Sequence, residues 1–302
     1  MISSQEIIES IAADNTSGAA ILYRRSIDFF RAVLAENQSS DSTSLTAMLS
    51  EAARRVSSAQ PAMAPLIKVA YQVKATVDQA ASRDEDVASM IGNLLNRQLQ
   101  ESETAPERIA SNASGLIPEG STIVTISFSS AVLNTILHHP MKNSLTVVTP
   151  ESRPVCEGVL FAKTLDEMGV RCILSTDFRV FSHLENADMF LCGADAVTED
   201  YLVNKTGTGI LARTCMETCG NSVALFDESK ILPAKMYRFS QIAQPAGEIT
   251  NNELKRGVVE NYYFEKCPLS CFSKFVTPAG SFTQVSLRSH ILRMSESNLL
   301  DC

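Results

Sequence analysis

The sequence predicts an α/β protein in which a helical amino-terminal domain, residues 1–118, precedes a doubly wound parallel-sheet domain, residues 119–302. Two observations carry this. Over the first hundred residues apolar side chains recur at the 3.6-residue period of amphipathic helices. From residue 121 short β-branched runs alternate with helix-length segments, as in a parallel sheet covered on both faces.

The helical signals begin with Ser3 and Glu6, a capping box ahead of Ile7, Ile8 and Ile11. Leu45, Met48, Leu49, Ala52 and Val56 form the next stripe, Leu66, Val69, Ala70, Val73 and Val77 a third, and Val87, Ile91, Leu94 and Leu95 a fourth. "ENQSSDSTS" and "QPAMAP" read as connections between antiparallel helices, and the polar stretch "ESETAPERIASNAS" as the boundary between the two domains. The predicted strands are "TIVTIS" (122–127), "SLTVVT" (144–149), "VRCILS" (170–175), "DMFLCG" (188–193) and "SVALFD" (222–227), with a helix expected over 155–168. The region after 235 is expected to cover a sheet edge or to make subunit contacts.

The chain has 302 residues, enough for two modest domains, with 26 basic against 34 acidic residues and a net charge of −8. That balance disfavours direct nucleic-acid binding, which depends on clustered Lys and Arg. Neither a signal peptide nor a membrane span is evident, so no membrane partner and a cytoplasmic location are expected. The eight cysteines read as reduced thiols, several of them in apolar runs. Cys215 and Cys219, four apart on one helix face, read as core. Cys267 and Cys271 have one more residue between them than the usual C-x-x-C and the four histidines are scattered, so neither a metal nor another cofactor is expected.

In a doubly wound sheet the ligand sits beyond the carboxyl ends of the strands, so polar residues there are the site candidates. Ser127, Ser129 and Ser130 precede an apolar helical segment and can either converge on an anion or simply cap the helix. Arg153, in "TPESRPVCEG" with Glu151, is either a phosphate fork or a surface ion-pair partner, and Pro154 suits the first turn of the following helix. Asp195, past "DMFLC", is either a tuned carboxylate or a turn former. "NKTGTG" combines Asn204, Lys205, Gly207 and Thr208 at the start of a helix, where a cation, flexible backbone and helix dipole all favour phosphate. Lys230 is a further strand-end cation. Gly207, Gly209 and Ala212 match G-x-G-x-x-A, with Asp227 twenty residues beyond Gly207, which is dinucleotide-like spacing. The late position and the preceding Lys205 suit a monophosphate better.

"TVVTPESRP", "GVRCILSTD", "GADAV" and "VNKTGTGILA", in this order, resemble the family shared by the alpha, beta and delta regulatory subunits of translation initiation factor 2B, ribose-1,5-bisphosphate isomerase and methylthioribose-1-phosphate isomerase. The resemblance spans about 120–235 and continues more weakly through "ENYYFEKCP" and "KFVTPAG". It implies a helical domain before a Rossmann-like one, a homodimer or higher homo-oligomer, and a phosphorylated small molecule as ligand. In a eukaryotic cell it also implies translation initiation factors as partners. From the isomerases it implies roles for Asp195 in catalysis and for Ser129, Asn204, Lys205 and Lys230 in substrate binding.

Three departures bear on activity. The catalytic Cys position is Ser127, a far weaker acid than a thiol. An R-G-A phosphate motif becomes Ser17, Gly18 and Ala19, and an Arg-Pro becomes Gln60 and Pro61. Losing such arginines costs roughly 1.5–3 kcal/mol per charged hydrogen bond. The initiation-factor subunits, in turn, generally carry Glu at the position of Asp195. The expected function is therefore an initiation-factor-2B-like protein that retains a sugar-phosphate or nucleotide-monophosphate pocket. The alternative is an aldose-ketose isomerase with Ser127 in place of the cysteine.

Overall fold

The computed structural model describes residues 2–14, 17–252 and 254–297. Five helices come first: α1 (Ser4–Ala13), α2 (Ala19–Glu36), α3 (Ser42–Ala59), α4 (Ala64–Arg83) and α5 (Val87–Ala113). The capping box is present: Ser3 Oγ accepts from the Glu6 amide, and the Glu6 side chain accepts from the Ser3 amide at 2.8 Å. Asp41 and Asp86 cap α3 and α5 through the amides of Ser44 and Ala88. The apolar stripes read from the sequence meet in one core that includes Leu49, Val56, Leu66, Val73, Ile91 and Leu95.

The polar stretch at 101–114, just before the expected boundary at 118, is helical. It forms the second half of α5, which continues through Pro106 to Ala113. The internal proline removes one backbone donor, so the stretch reads as a break although the helix persists. Val87 to Leu95 of α5 belong to the helical core, whereas Ile109 and Ala113 belong to a core made with sheet residues such as Ile123, Val147 and Val223.

The remainder adds β1 (Thr122–Val124), α6 (Ser130–His138), β2 (Thr146–Pro150), α7 (Glu157–Glu167), β3 (Arg171–Ser175), β4 (Met189–Cys192), β5 (Ala196–Val197), β6 (Tyr201–Lys205), α8 (Thr208–Thr218), β7 (Ser222–Leu225), β8 (Phe264–Pro268), β9 (Lys274–Thr277), β10 (Gly280–Phe282) and α9 (Gln284–Ser297). The main sheet runs β10-β9-β7-β4-β1-β2-β3 and is parallel except for the β9–β10 hairpin. All five predicted strand runs lie in it. β4 and β1 are buried along their length, apart from half-buried Thr122, because helices cover both faces. From β1 the chain builds outward through β2 and β3, then returns to lay β4 on the other side of β1. The topological switch point is therefore between β1 and β4, where such sheets bind ligands.

The segment after 235 contributes to both sheets. β9 and β10 extend the main sheet at its edge, and β8 joins β5 and β6 in a three-stranded antiparallel sheet. That second sheet pairs Asn204 with Glu265 and Lys205 with Phe264. Pro154 lies in the turn before α7 rather than in its first turn, because the helix begins only at Glu157. Among the described residues no helix is long and apolar enough to cross a membrane.

Candidate functional site

Four chain segments converge at the switch point. Beyond β1, Ser127 adopts a left-handed backbone (φ 62°) and its amide donates to Ser152 Oγ at 2.9 Å. Beyond β2, Ser152 is also left-handed, and its amide and that of Arg153 donate to the Asp177 carboxylate at 2.7 and 2.9 Å. Beyond β4, Gly193 packs so closely on Ser129 that a Cβ there would stand 2.4 Å from Ser129 Oγ. Beyond β6, the Gly207 turn lies against Ile126, the residue before Ser127. The amino-terminal helices close over this point: Ala64, the first residue of α4, donates its amide to the Asp195 carbonyl at 3.2 Å.

Gly193→Ala is therefore expected to push Ser129 aside and to weaken any ligand held there at least tenfold, with little effect on secondary structure. Calorimetric titration and circular dichroism check the two halves of that expectation.

Asp195 is half-buried at the surface but densely enclosed by protein. Desolvation is the largest influence on its carboxyl and raises its pKa; Lys230 opposes the rise, Glu157 adds to it and Lys205 opposes it. A raised carboxyl pKa penalises folding wherever the group is ionised. The penalty is absent below the ordinary Asp pKa of about 3.9 and complete above the folded-state value. Asp195→Asn removes it, so the stability of the variant relative to the parent is expected to rise between pH 4 and pH 7. Urea midpoints at both pH values test this; a pH-independent difference would contradict it.

Lys205 is almost fully buried, and its Nζ lies 2.9 and 3.0 Å from the two carboxylate oxygens of Glu157, the first residue of α7. The ammonium also lies over the Tyr263 ring, 5.3 Å from its centroid. Asn204 Nδ2 donates to Thr208 Oγ1 at 3.0 Å, and that hydroxyl donates to the Lys205 carbonyl at 2.6 Å.

The glycine turn holds a carboxylate from the chain itself. Glu265 Oε1 accepts from the amides of Gly207 and Gly209 at 3.0 and 2.8 Å, so Glu265 supplies the negative charge that the start of α8 favours. Glu265→Gln retains the shape but not the charge and is expected to cost about 1 kcal/mol of stability, read from urea unfolding.

Of the candidates read from the sequence, Ser127, Ser129, Asp195, Asn204, Lys205, Gly207 and Thr208 lie in this cluster, and Lys230 acts on it through its charge. Ser129 caps α6, accepting from Val132 at 3.4 Å, while Ser130 is exposed at the helix start. Arg153 is exposed and donates to the Glu248 carbonyl at 3.2 Å, a backbone partner in place of a carboxylate. Sequence reasoning missed Glu157, Asp177 and Glu265. Asp177 lies two residues beyond β3 and obeys the same strand-end logic, whereas the pairings of Glu157 and Glu265 are long-range. The sequence also gives no local sign that Asn204 and Lys205 end a strand of a second sheet.

The sequence pattern of the initiation factor 2 subunit family matches residues 15–284. The chain belongs to this family. It is 28% identical over 280 residues to a translation initiation factor eIF-2B subunit 2-like protein of Pyrococcus furiosus, covering 91% of this chain and 94% of that one. It is 30% identical over 185 residues to the ribose 1,5-bisphosphate isomerase of Archaeoglobus fulgidus, covering 59% of each. Its fold is similar to the crystal structure of translation initiation factor eIF-2B from Pyrococcus horikoshii OT3, with a TM-score of 0.75, 24% identity and coverage of 93% and 96%. The family thus includes relatives named for translation initiation and for sugar-phosphate isomerisation.

Proposed function

We propose that this chain is an initiation-factor-2B-like protein that binds a phosphorylated small molecule, a sugar phosphate or a nucleoside monophosphate, at the switch point between β1 and β4. The observation that carries the reading is the unequal use of the two lysines. Lys205 is neutralised by Glu157, and the glycine-turn amides by Glu265. Lys230, half-buried beside Asp195, forms no ion pair among the described residues. Lys230 is therefore the primary phosphate partner in this reading, with the Ser127 and Ser129 hydroxyls as further ligand contacts. Lys205, Asn204 and Thr208 hold the floor of the site.

Thermal-shift and calorimetric titration with ribose 5-phosphate, ribose 1,5-bisphosphate, methylthioribose 1-phosphate, AMP and GMP test this reading. At least one is expected to stabilise the protein, by about 2.7 kcal/mol at a hundredfold excess over Kd. Lys230→Ala is expected to weaken that ligand about tenfold or more. Binding unchanged in Lys230→Ala would remove the proposal.

The carboxyl of Asp195, raised by burial and placed beyond β4, favours a second reading, aldose-ketose isomerisation, since a carboxyl with a raised pKa is suited to exchange a proton with a substrate. Solvent hydrogen entering a phosphorylated aldose during turnover, and lost in Asp195→Asn, supports it; no turnover on the same sugar phosphates rejects it. Assembly as a homodimer or higher homo-oligomer is supported by exposed Leu160, Leu174 and Phe178, on or beside α7 and the edge strand β3. Light scattering on the purified chain tests it. A cytoplasmic location, and initiation factors as partners in a eukaryotic cell, complete the proposal.

A further inference from the structure

A second cleft, of about 510 Å³, lies between α2, α4 and α5 on one side and the turns after β7 and β9 on the other, and its lining shares no residue with the β1–β4 switch-point cluster. That volume is in the range of small-molecule sites. Its charged lining has both signs: Lys68, Arg97 and Arg108 with Glu101, Asp227 and Glu228.

Among the described residues these groups form no close ion pair with one another, although Glu228, Asp227 and Glu101 act on Lys68 at longer range. Arg97 and Glu101 are one helical turn apart, the spacing at which opposite charges ordinarily pair, yet neither they nor Arg108 forms an ion pair among the described residues. Lys68 directs its ammonium to the backbone carbonyl of Glu228 at 2.6 Å and not to a carboxylate. Asp227 accepts from the amide of Ser229 at 2.9 Å and from its hydroxyl, and the Glu228 carboxylate lies 3.5 Å from His290 Nε2. One turn along α4 from Lys68, Gln72 Oε1 is buried in the cleft wall without a hydrogen-bond partner. A buried acceptor left unmade costs about 1–3 kcal/mol. Pro233, Pro278 and Met294 add an apolar strip to the same cleft.

We propose that this cleft is a second small-molecule site, and that it takes a zwitterion of the α-amino-acid type with an apolar side chain. The ligand carboxylate meets Lys68 and the arginines, its ammonium meets Asp227, Glu101 and Gln72 Oε1, and its side chain lies on the apolar strip. Burial presses the Lys68 ammonium toward its neutral form and Glu228, Asp227 and Glu101 only partly offset this, so a ligand carboxylate in direct contact with it is favoured. Asp227, Glu228 and Ser229 line this cleft, and the next residue, Lys230, acts on Asp195.

Calorimetric titration of the full chain with L-leucine and L-methionine, alongside the single-charge analogues isoamylamine and 4-methylpentanoate, tests the proposal. At least one amino acid is expected to bind saturably, and each analogue at least tenfold more weakly. Glu101→Gln and Arg97→Gln, both at exposed helix positions, are each expected to weaken the amino acid at least threefold, and Lys68→Met at least tenfold. Asp195→Asn is expected to leave this binding within twofold, which separates it from the phosphate site. Absence of binding by both amino acids overturns the proposal. So does equal binding of either analogue, or affinity unchanged in both Glu101→Gln and Arg97→Gln.

Discussion

Glu157→Leu is expected to destabilise the chain by about 3–5 kcal/mol, because it leaves the Lys205 ammonium at a position 3% exposed with no carboxylate in hydrogen-bond contact. Lys205→Met is expected to cost less than removal of the acid, since a carboxylate one-fifth exposed can still reach water. The double variant, Glu157→Leu with Lys205→Met, is expected to lose clearly less than the sum of the single effects. Urea unfolding of the parent and the three variants gives the coupling energy directly. Additive losses would show that the pair contributes no mutual stabilisation and that Glu157 matters only for packing.

Gly158→Ala should be nearly as damaging, for a steric reason. A Cβ on Gly158 would stand 1.8 Å from the carbonyl oxygen of Pro150 and 3.0 Å from Ser152 Oγ. The oxygen belongs to the backbone of β2 and has no rotamer to which it can retreat, so α7 must move off the strand. The expected cost is about 3 kcal/mol, at the upper end for overpacking. The displacement also shifts Ser152, which receives the Ser127 amide, so switch-point ligands should weaken in step with stability. A variant of unchanged melting temperature would mean that the β2–α7 connection adapts without strain.

The parts of this molecule visible in the sequence are those encoded by local periodicity. The helical stripes from Leu45 to Leu95 and the five parallel strands could be read because each buried face or buried run repeats along its own segment. Asp195, Asn204, Lys205 and Lys230 could be singled out because polar residues after apolar strands mark ligand-facing ends. What could not be read depends on partners far away in the chain. Glu265 is 56 residues from the Gly209 amide it accepts from, and Glu157 is 48 residues from Lys205. Neither spacing has a local signature, so the glycine turn looked open to an outside anion. The helix through 101–113 was hidden for the opposite reason: polar composition and Pro106 look like a break, while the buried residues Ala105, Ile109, Ala110 and Ala113 keep the helical period.

That helix has a mechanical consequence. At about 1.5 Å per residue, the 27 residues of α5 form a strut roughly 40 Å long, anchored at one end among helices and at the other against the sheet. The two cores share this rod and cannot swing apart about it as about a hinge. Heating is expected to melt both in a single calorimetric transition.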